Sequence, residues 1–305
     1  MGAELPVINR VMDNTALSAF MTCEREHYLS MYLHRRADIG RSSALAYGSV
    51  IHILFDQHYK TGGNVEIAEL TARLWWDKHG HNEVGDHRTI ERAILDYRRY
   101  RERWGKTPAD EQGKTVGWPD APLVEIPFNI QAGTLTHPWA GKLDRFIELG
   151  GRYYIEDHKT TSHLDRNFYA GFDLDNQMMG YTWAGRHIAP ELKIQGVRLN
   201  VIHILKDKTN FERQIITYTR EQLAEWERNT NRWFERLRRA QEEWPSIEQL
   251  QEGAEWPLAH FGKDGCKRMY GLCSYHSLCS LAPTFRTNAL LEIPVNEWDP
   301  MNIDE

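Results

Sequence analysis

Two short segments in the middle of the chain carry carboxylates and a lysine at spacings that suit metal-dependent chemistry. Asp144 ends the sequence Gly-Lys-Leu-Asp over 141–144, and Asp157 lies two residues before Lys159. Side chains two apart on a strand point to the same face, and the glycine pair at 150–151 favours a hairpin between the segments. We therefore expect both carboxylates and the lysine to converge.

Two converging carboxylates repel each other, and a bound divalent cation relieves that repulsion. Oxygen ligands of this kind suit Mg²⁺ or Mn²⁺, which can activate water and neutralise charge developing on a phosphate. Lys159 could then position or deprotonate the water, or stabilise the developing charge. An acidic residue two before a lysine is a weak signal alone, and Glu191 precedes Lys193 at the same spacing without a hairpin. The simpler alternative is a surface strand with a charge pair.

The cysteines are divided unevenly along the chain. There are four of them, at Cys23, Cys266, Cys273 and Cys279. A set of four thiolates suits Zn²⁺ or an iron–sulfur cluster. No Cys-x-x-Cys pair occurs, which weakens the zinc interpretation, and unrelated buried thiols are a third possibility.

Composition predicts a globular protein of the cytoplasm. The chain has 305 residues, of which 41% are hydrophobic, and no apolar run approaches the length that spans a bilayer. The first ten residues lack the pattern of a secretion signal. We therefore expect reduced thiols, which makes disulfides the less favoured use of the cysteines.

A net charge of −6 argues weakly against nucleic acid, but two stretches mix arginines with aromatic residues. The first contains Arg92, Arg98, Arg99, Arg101 and Arg103 with Tyr97, Tyr100 and Trp104. The second contains Arg228, Arg232, Arg236, Arg238 and Arg239 with Trp226, Trp233 and Phe234. Such mixtures suit single-stranded nucleic acid, because arginine binds phosphate and aromatic rings stack on bases. Two solvated helical faces are the alternative.

The hydrophobic periodicity predicts the elements that position these residues. Helices are expected over 15–35, capped by Thr15, and over 44–59, 65–79, 87–104, 174–188 and 220–243. Strands are expected over 123–130, 141–149, 153–157, 196–205 and 211–218. Residues 105–121 and the chain after 243 are predicted to be irregular.

This order of elements predicts an α/β fold in a single domain over 1–305. We expect a helical insertion at 62–121, a catalytic core at 123–220, and a C-terminal segment at 245–285 that pairs with Cys23.

Four motifs resemble the RecB-like branch of the PD-(D/E)XK nuclease superfamily, in the order that this branch has. They are Gly-Ser-Val-Ile-His at 48–52, Ala-Gly-Lys-Leu-Asp at 140–144, Tyr-Ile-Glu-Asp-His-Lys-Thr-Thr at 154–161 and Gln-Met-Met-Gly-Tyr at 177–181. The resemblance implies a restriction-endonuclease-like core, a small mixed sheet flanked by helices.

The resemblance also implies roles for individual residues. The metal ligands would be His52, Asp144 and Asp157 with the carbonyl of His158, and Lys159 would be catalytic. The pair Gln177 and Tyr181 would orient the site or contact DNA. Taken alone, His52 could be an ordinary helix histidine, and Gln177 and Tyr181 could serve packing. Of the neighbouring acidic residues, neither Glu125 nor Glu156 is selected as a ligand, since Glu156 should face away from Asp157.

Some RecB-like nucleases hold a 4Fe–4S cluster with one early cysteine and three late ones, among them AddB-type subunits and CRISPR adaptation nucleases. Cys23 and the trio at 266–279 match this arrangement, although that family often has a shorter first gap in the trio than the six residues here. The resemblance implies a structural cluster that holds the two chain ends over the core.

We therefore expect an Mg²⁺- or Mn²⁺-dependent DNA exonuclease that acts on single strands or ends, in DNA repair or recombination. No phosphate-binding loop is present, so a helicase, CRISPR or recombination partner could supply single strands, and an oligomer is possible. A structure-specific endonuclease and a non-catalytic iron–sulfur scaffold are the alternatives.

Overall fold

A computed structural model describes residues 12–36, 42–80, 85–261, 265–268 and 271–298. The ends of the predicted 1–305 domain and short parts of its insertion and C-terminal segment lie outside these ranges. The N-terminal elements are helices α1 (Asn14–Thr22), α2 (Glu24–His27), a π-helical turn (Tyr28–Tyr32), α3 (Ser43–Lys60), α4 (Val65–His79) and α5 (Ile90–Trp104).

The predicted first helix is not continuous. The backbone of Cys23 is extended, with φ −160° and ψ 114°, and separates α1 from α2. The predicted cap at Thr15 is also wrong. Asp13 caps α1, because its carboxylate accepts a hydrogen bond of 2.7 Å from the amide of Ala16.

The strands follow the helical layer. They are β1 (Lys114–Thr115), β2 (Val124–Ile130), β3 (Trp139–Leu149), β4 (Arg152–Thr161), β5 (Gly196–Ile204) and β6 (Thr209–Thr217). They form one mixed sheet in the order β1-β3-β4-β5-β6, with β2 also paired to β3. Only the β4–β5 pair is parallel, and the others are antiparallel. The two-residue strand β1 lies in a stretch expected to be irregular, where Lys114 and Thr115 pair with Glu148 and Ile147.

The remaining helices lie between and after the strands. They are α6 (Arg166–Ala170), α7 (Asn176–Ile188), α8 (Arg220–Glu243), α9 (Ile247–Gln251), α10 (His276–Ser280) and α11 (Pro283–Leu291). Strands β7 (Lys267–Arg268) and β8 (Gly271–Leu272) pair in a separate small hairpin. The chain after residue 243 is therefore not irregular as predicted. None of the helices in the described part of the chain is long and apolar enough to cross a membrane.

Helices cover both faces of the sheet, and each face has its own core. On one face, α1, α7 and α8 pack against side chains such as Phe146, Ile155 and Leu199. On the other face, α3, α4 and α5 pack against Ile202 and Ile204. This arrangement is a mixed α/β fold of the restriction-endonuclease-like kind, as predicted.

Strands β3 and β4 present different chemistry to the two faces. Arg145 pairs with Glu156 in the ladder, and Asp144 and Asp157 come one residue further from the turn. Successive side chains point to opposite faces, so Asp144 and Asp157 share one face while Arg145 and Glu156 share the other. The acidic pair faces α7, and the ion pair faces α3 and α5.

Candidate active site

A cleft of about 320 Å³ opens between α3, the sheet and α7. Its lining includes the predicted residues His52, Asp144, Asp157 and Lys159 with Gln177 and Tyr181. The structure therefore brings together side chains of all four motifs, which are far apart in sequence. The side chain of His158 is not part of the lining, since it points to the opposite face of the sheet.

The carboxylate of Asp144 is buried in the floor of the cleft. It accepts a hydrogen bond of 2.8 Å from the amide of His158. Burial first, and then the negative charge of Asp157, raise the pKa of Asp144 from 3.8 to about 8. Without a cation, this carboxylate is therefore destabilised in its charged form.

Lys159 is held by the side chains of Asp157 and Gln177. Its ammonium lies 3.1 Å and 2.9 Å from the two carboxylate oxygens of Asp157, and it donates to Gln177 Oε1 at 3.0 Å. Gln177 in turn donates to the hydroxyl of Tyr181 at 2.9 Å. Burial alone lowers the pKa of Lys159, but the carboxylates outweigh it and the net shift is upward. The amine is thus a fixed cation at the edge of the cleft.

His52 reaches the cleft from α3. Its Nε2 donates to the carbonyl of His158 at 2.9 Å, and its Nδ1 lies 3.4 Å from Asp144 Oδ2. Burial lowers the pKa of the ring although 34% of the side chain is exposed, so the neutral form is favoured. A neutral ring that donates from Nε2 keeps the lone pair on Nδ1, which faces Asp144.

Glu125 is the site residue that sequence reasoning missed. It lies between Val124, which pairs with Arg145, and Ile126, which pairs with Leu143, so it stands opposite Asp144. Its φ of +52° is in the left-handed region, and this turns its side chain into the cleft. Burial and the charge of Asp144 raise its pKa to about 7. The alternation of a regular strand could not have revealed this orientation.

Lys142 lies beside Glu125 in the cleft. Its ammonium is 2.5 Å from Glu125 Oε2. The lysine of the Gly-Lys-Leu-Asp motif therefore shares a wall with the acidic groups and partly balances their charge.

The donor atoms fit a hard divalent cation. Single ligand atoms from His52, Glu125 and Asp144 lie within 4.8 Å of one another, which no other such group does in the described ranges. Two carboxylates, one imidazole and the nearby carbonyl of His158 form a donor set that Mg²⁺ or Mn²⁺ accepts. Asp157 is outside this group, because its carboxylate contacts Lys159.

The opposite face of the hairpin carries a buried ion network. Arg145 and Arg198 both contact the Glu156 carboxylate, at 2.5 Å for Arg145 Nη2 to Oε1 and 2.5 Å for Arg198 Nε to Oε2. These positive charges hold the pKa of Glu156 well below its usual range despite its burial. Glu156 therefore faces away from Asp157, as expected from strand alternation.

The imidazole of His158 lies in the same buried layer. Its Nδ1 is 2.9 Å from Asn200 Nδ2, and its ring stacks on that of Tyr59 at 9° between planes. Burial lowers its pKa well below the usual value, so the ring is a neutral acceptor. These contacts fix the peptide whose carbonyl meets His52.

All four cysteines lie where the two ends of the chain meet. The amide of Cys273 donates to the carbonyl of Cys266 at 2.7 Å, and the Cys23 and Cys279 thiols are close enough to interact electrostatically. No three sulfur atoms lie within 4.8 Å of one another among the residues that the structure places. The cysteines of the two chain ends nevertheless lie in one region of the protein.

Contacts between side chains and backbone also join the chain ends beside the cysteines. Arg25 Nε donates to the carbonyl of Pro257 at 3.0 Å, and Trp244 Nε1 donates to Glu24 at 2.8 Å. Glu26 forms an ion pair with Arg268. The segment around Cys23 is therefore anchored to the C-terminal region independently of any bound group.

The arginines of the first arginine-rich stretch bind other residues of the protein. Arg92 binds Asp96 and two carbonyls of the β5–β6 turn, and Arg98 binds Glu69. Its remaining arginines contact Asp96, Gly63, Lys106 and the Trp104 ring. Tyr97 and Tyr100 are fully buried. This stretch stabilises the layer formed by α3, α4 and α5, so its arginines and aromatic residues serve contacts within the fold.

Residues 14–280 match the family described as the PD-(D/E)XK nuclease superfamily. A structure of a candidate exonuclease from Eubacterium rectale is 18% identical, with a TM-score of 0.46, over 78% of this chain and 88% of that one. The structure of SSO0001 is 13% identical, with a TM-score of 0.28, over 70% and 86% of the two chains. None of the curated proteins matches the sequence. Since the family match spans most of the chain and its motifs meet in one cleft, this protein belongs to the PD-(D/E)XK nuclease superfamily.

Proposed function

We propose that this nuclease is a metal-dependent deoxyribonuclease that acts as an exonuclease on single-stranded DNA or DNA ends. The main support is the meeting of Asp144, Asp157 and Lys159 in one cleft with His52 and Glu125. Hydrolysis of a phosphodiester needs charge neutralisation on the phosphate and a positioned water. Carboxylates that hold a cation and a fixed ammonium supply both.

The residues that would hold Mg²⁺ or Mn²⁺ are Asp144, Glu125 and His52, with Asp157 and the His158 carbonyl at the same site. The bound ion would supply a polarised phosphate oxygen and a more acidic water. The raised pKa of Asp144 supports this role, because a buried carboxylate beside another carboxylate needs a compensating positive charge.

Lys159 would act on the phosphate through its position. The hydrogen bond from Lys159 to Gln177, and that from Gln177 to Tyr181, direct the ammonium along the cleft wall. Since its pKa is raised, Lys159 stays protonated at neutral pH. We therefore assign it to stabilising negative charge on the phosphate and to orienting the attacking water, and not to removing a proton.

We further propose that the four cysteines hold a 4Fe–4S cluster with a structural role. The position of the thiols at the junction of the chain ends supports it. Iron–sulfur clusters are held by thiolates, and a cubane spreads its ligands further apart than a single metal ion does. The cluster would add to the contacts that already join Arg25 and Glu26 to the C-terminal region.

We expect Lys159→Ala to lower the rate of DNA cleavage by at least about a hundredfold, because it removes a group that acts on the reacting phosphate. The measurement is cleavage of end-labelled single-stranded DNA by anaerobically purified protein with Mn²⁺ or Mg²⁺. Lys193→Ala is the matched control, since it removes the lysine of the other acidic-x-lysine pattern, and should leave the rate unchanged. Full activity of Lys159→Ala would refute the assignment. Cleavage of circular single-stranded DNA would replace the exonuclease with an endonuclease.

We expect Asp144→Asn to stabilise the metal-free protein at pH 8 while abolishing cleavage. The folded-state pKa of about 8 exceeds the ordinary aspartate pKa of 3.8, so ionisation of Asp144 costs stability as the pH rises through this interval. Each pKa unit corresponds to about 1.4 kcal/mol, and we expect the advantage of the variant to grow by at least about 1 kcal/mol from pH 5 to pH 8. Urea unfolding with EDTA measures this. The exposed Asp207→Asn is the control, and an advantage independent of pH would contradict the prediction.

We expect Glu125→Gln to weaken Mn²⁺ binding by at least about tenfold, because it removes a charged oxygen donor from the group around Asp144. Isothermal titration calorimetry on otherwise metal-free protein provides the affinity. Glu191→Gln removes the same charge from an exposed turn and should bind as the wild type does. Equal affinities for all three proteins would show that Glu125 serves only to pair with Lys142.

We expect Cys273→Ala to lose the brown colour and visible absorption of an iron–sulfur protein and to unfold at a lower temperature. Iron and acid-labile sulfide should fall from about four of each per chain, the content of such a cluster. Ser274→Ala, next to it in sequence and exposed, should retain both. Zinc in place of iron in the anaerobic wild-type protein would overturn the cluster assignment.

A further inference from the structure

Helix α8 exposes a stripe of three arginines, Arg228, Arg232 and Arg236, at intervals of four residues. Neither Arg228 nor Arg232 has a hydrogen bond or ion pair with any residue that the structure describes. Arg236 places its guanidinium 4.8 Å from the centre of the Trp233 ring. By contrast, the next two arginines of the helix are paired with Glu235 and Glu242.

This stripe differs in charge from the protein as a whole. The chain has a net charge of −6, and the arginines of α5 already have partners within the protein. Exposed arginines one helical turn apart present a row of donors whose charge is not compensated locally. Glu225, one turn before Arg228, marks its N-terminal limit. Such a row is complementary to the phosphates of a nucleic acid strand.

A hollow of about 290 Å³ lies beside the stripe, between α8 and the start of α7. Trp233 supplies aromatic surface beside the buried Trp226, Glu225 contributes a carboxylate to the wall, and 46% of Met21 and 80% of Leu174 are exposed at the edge. Asn229 adds an amide that can donate and accept hydrogen bonds. Aromatic surface combined with an amide group suits an unpaired nucleobase, which offers a flat face and a polar edge.

Neighbouring residues of α7 line the hollow and the catalytic cleft. Asn176 lines the hollow and accepts a hydrogen bond of 2.7 Å from Trp226 Nε1. The next residue, Gln177, accepts the hydrogen bond from Lys159 at 3.0 Å. A strand bound in the hollow therefore lies next to the helix that orients the catalytic lysine.

We propose that the stripe of Arg228, Arg232 and Arg236 and the adjoining Trp233 hollow bind single-stranded DNA next to the catalytic cleft. The arginines contact successive phosphates, and one unpaired base stacks in the hollow against Trp233. This inference rests on the proposed deoxyribonuclease function, which it extends by assigning the path of the substrate strand. It requires a single strand, because a paired base cannot turn its face into the hollow.

The test is binding of a fluorescein-labelled oligothymidylate to full-length, metal-free protein in EDTA, followed by anisotropy over a series of KCl concentrations. Changing all three stripe arginines to Gln should reduce the slope of log affinity against log salt by about 2, since each single-strand phosphate contact contributes about 0.7. The control changes Arg152, Lys206 and Lys208 to Gln. It removes the same charge from three exposed positions outside α8, one at the start of β4 and two in the β5–β6 turn, and its slope should match the wild type.

Equal slopes for the stripe variant and the wild type would overturn the proposal, as would equal losses in the stripe and control variants. Should the triple variant fail to fold, Arg232→Gln alone should lower the slope by about 0.7, and Arg232→Lys should restore it. Trp233→Ala should weaken binding of the oligothymidylate at least about fivefold and leave a blunt duplex unaffected. A similar loss for both ligands would exclude base stacking in the hollow.

Binding in EDTA is independent of catalysis, so the two proposals fail in different ways. Intact salt-dependent binding through the stripe without cleavage under any metal would retain the strand path and refute the nuclease activity. If the stripe variant binds and cleaves DNA as the wild type does, the nuclease activity is retained and the strand path is refuted.

Discussion

The hairpin of β3 and β4 is the constraint on which the rest of the structure depends. Its register places Arg145 opposite Glu156, and the pleat then sends the neighbouring Asp144 and Asp157 to the other face. A shift by one residue would bury the two aspartates among the tyrosines of α3 and α5 and expose the ion pair to α7. Since removing one partner of a buried ion pair costs about 3 to 5 kcal/mol, such a shift is strongly disfavoured. The buried ion pair thus holds Asp144 and Asp157 on the face that lines the cleft.

The carboxylates on the two faces of the hairpin differ in how far their charge is compensated. Behind the hairpin, Arg145, Arg198 and Arg213 meet the carboxylates of Glu111 and Glu156, and every carboxylate has a guanidinium within reach. In front, Asp144 accepts a hydrogen bond from the amide of His158 and is attracted by the more distant charges of Lys142 and Lys159. These do not offset its burial, which raises its pKa. Asp144 has no arginine partner among the described residues, and this incomplete compensation of its charge is what supports the proposed cation site.

Sequence patterns predicted most of this arrangement because the main signals are local. Alternation and the glycine turn specify the hairpin, and helical periodicity specifies α3, α7 and α8. Glu125 was missed because its orientation depends on a left-handed residue inside a strand. The short helices after residue 243 were missed because each spans too few residues for a period to show. The roles of the α5 arginines depend on partners such as Glu69 and the β5–β6 turn, which spacing alone does not reveal.

A small residue within the Gln-Met-Met-Gly-Tyr motif explains how α7 can serve both the cleft and the hollow. A Cβ on Gly180 would lie 2.7 Å from Trp139 Nε1 and 3.2 Å from the Trp226 ring, so any larger residue would push α7 away from β3 and α8. Gln177 and Asn176, one turn earlier, would move with the helix. The first would lose its bond to Lys159 and the second its bond to Trp226. The glycine therefore sets the distance at which one helix can contact Lys159 and Trp226 together.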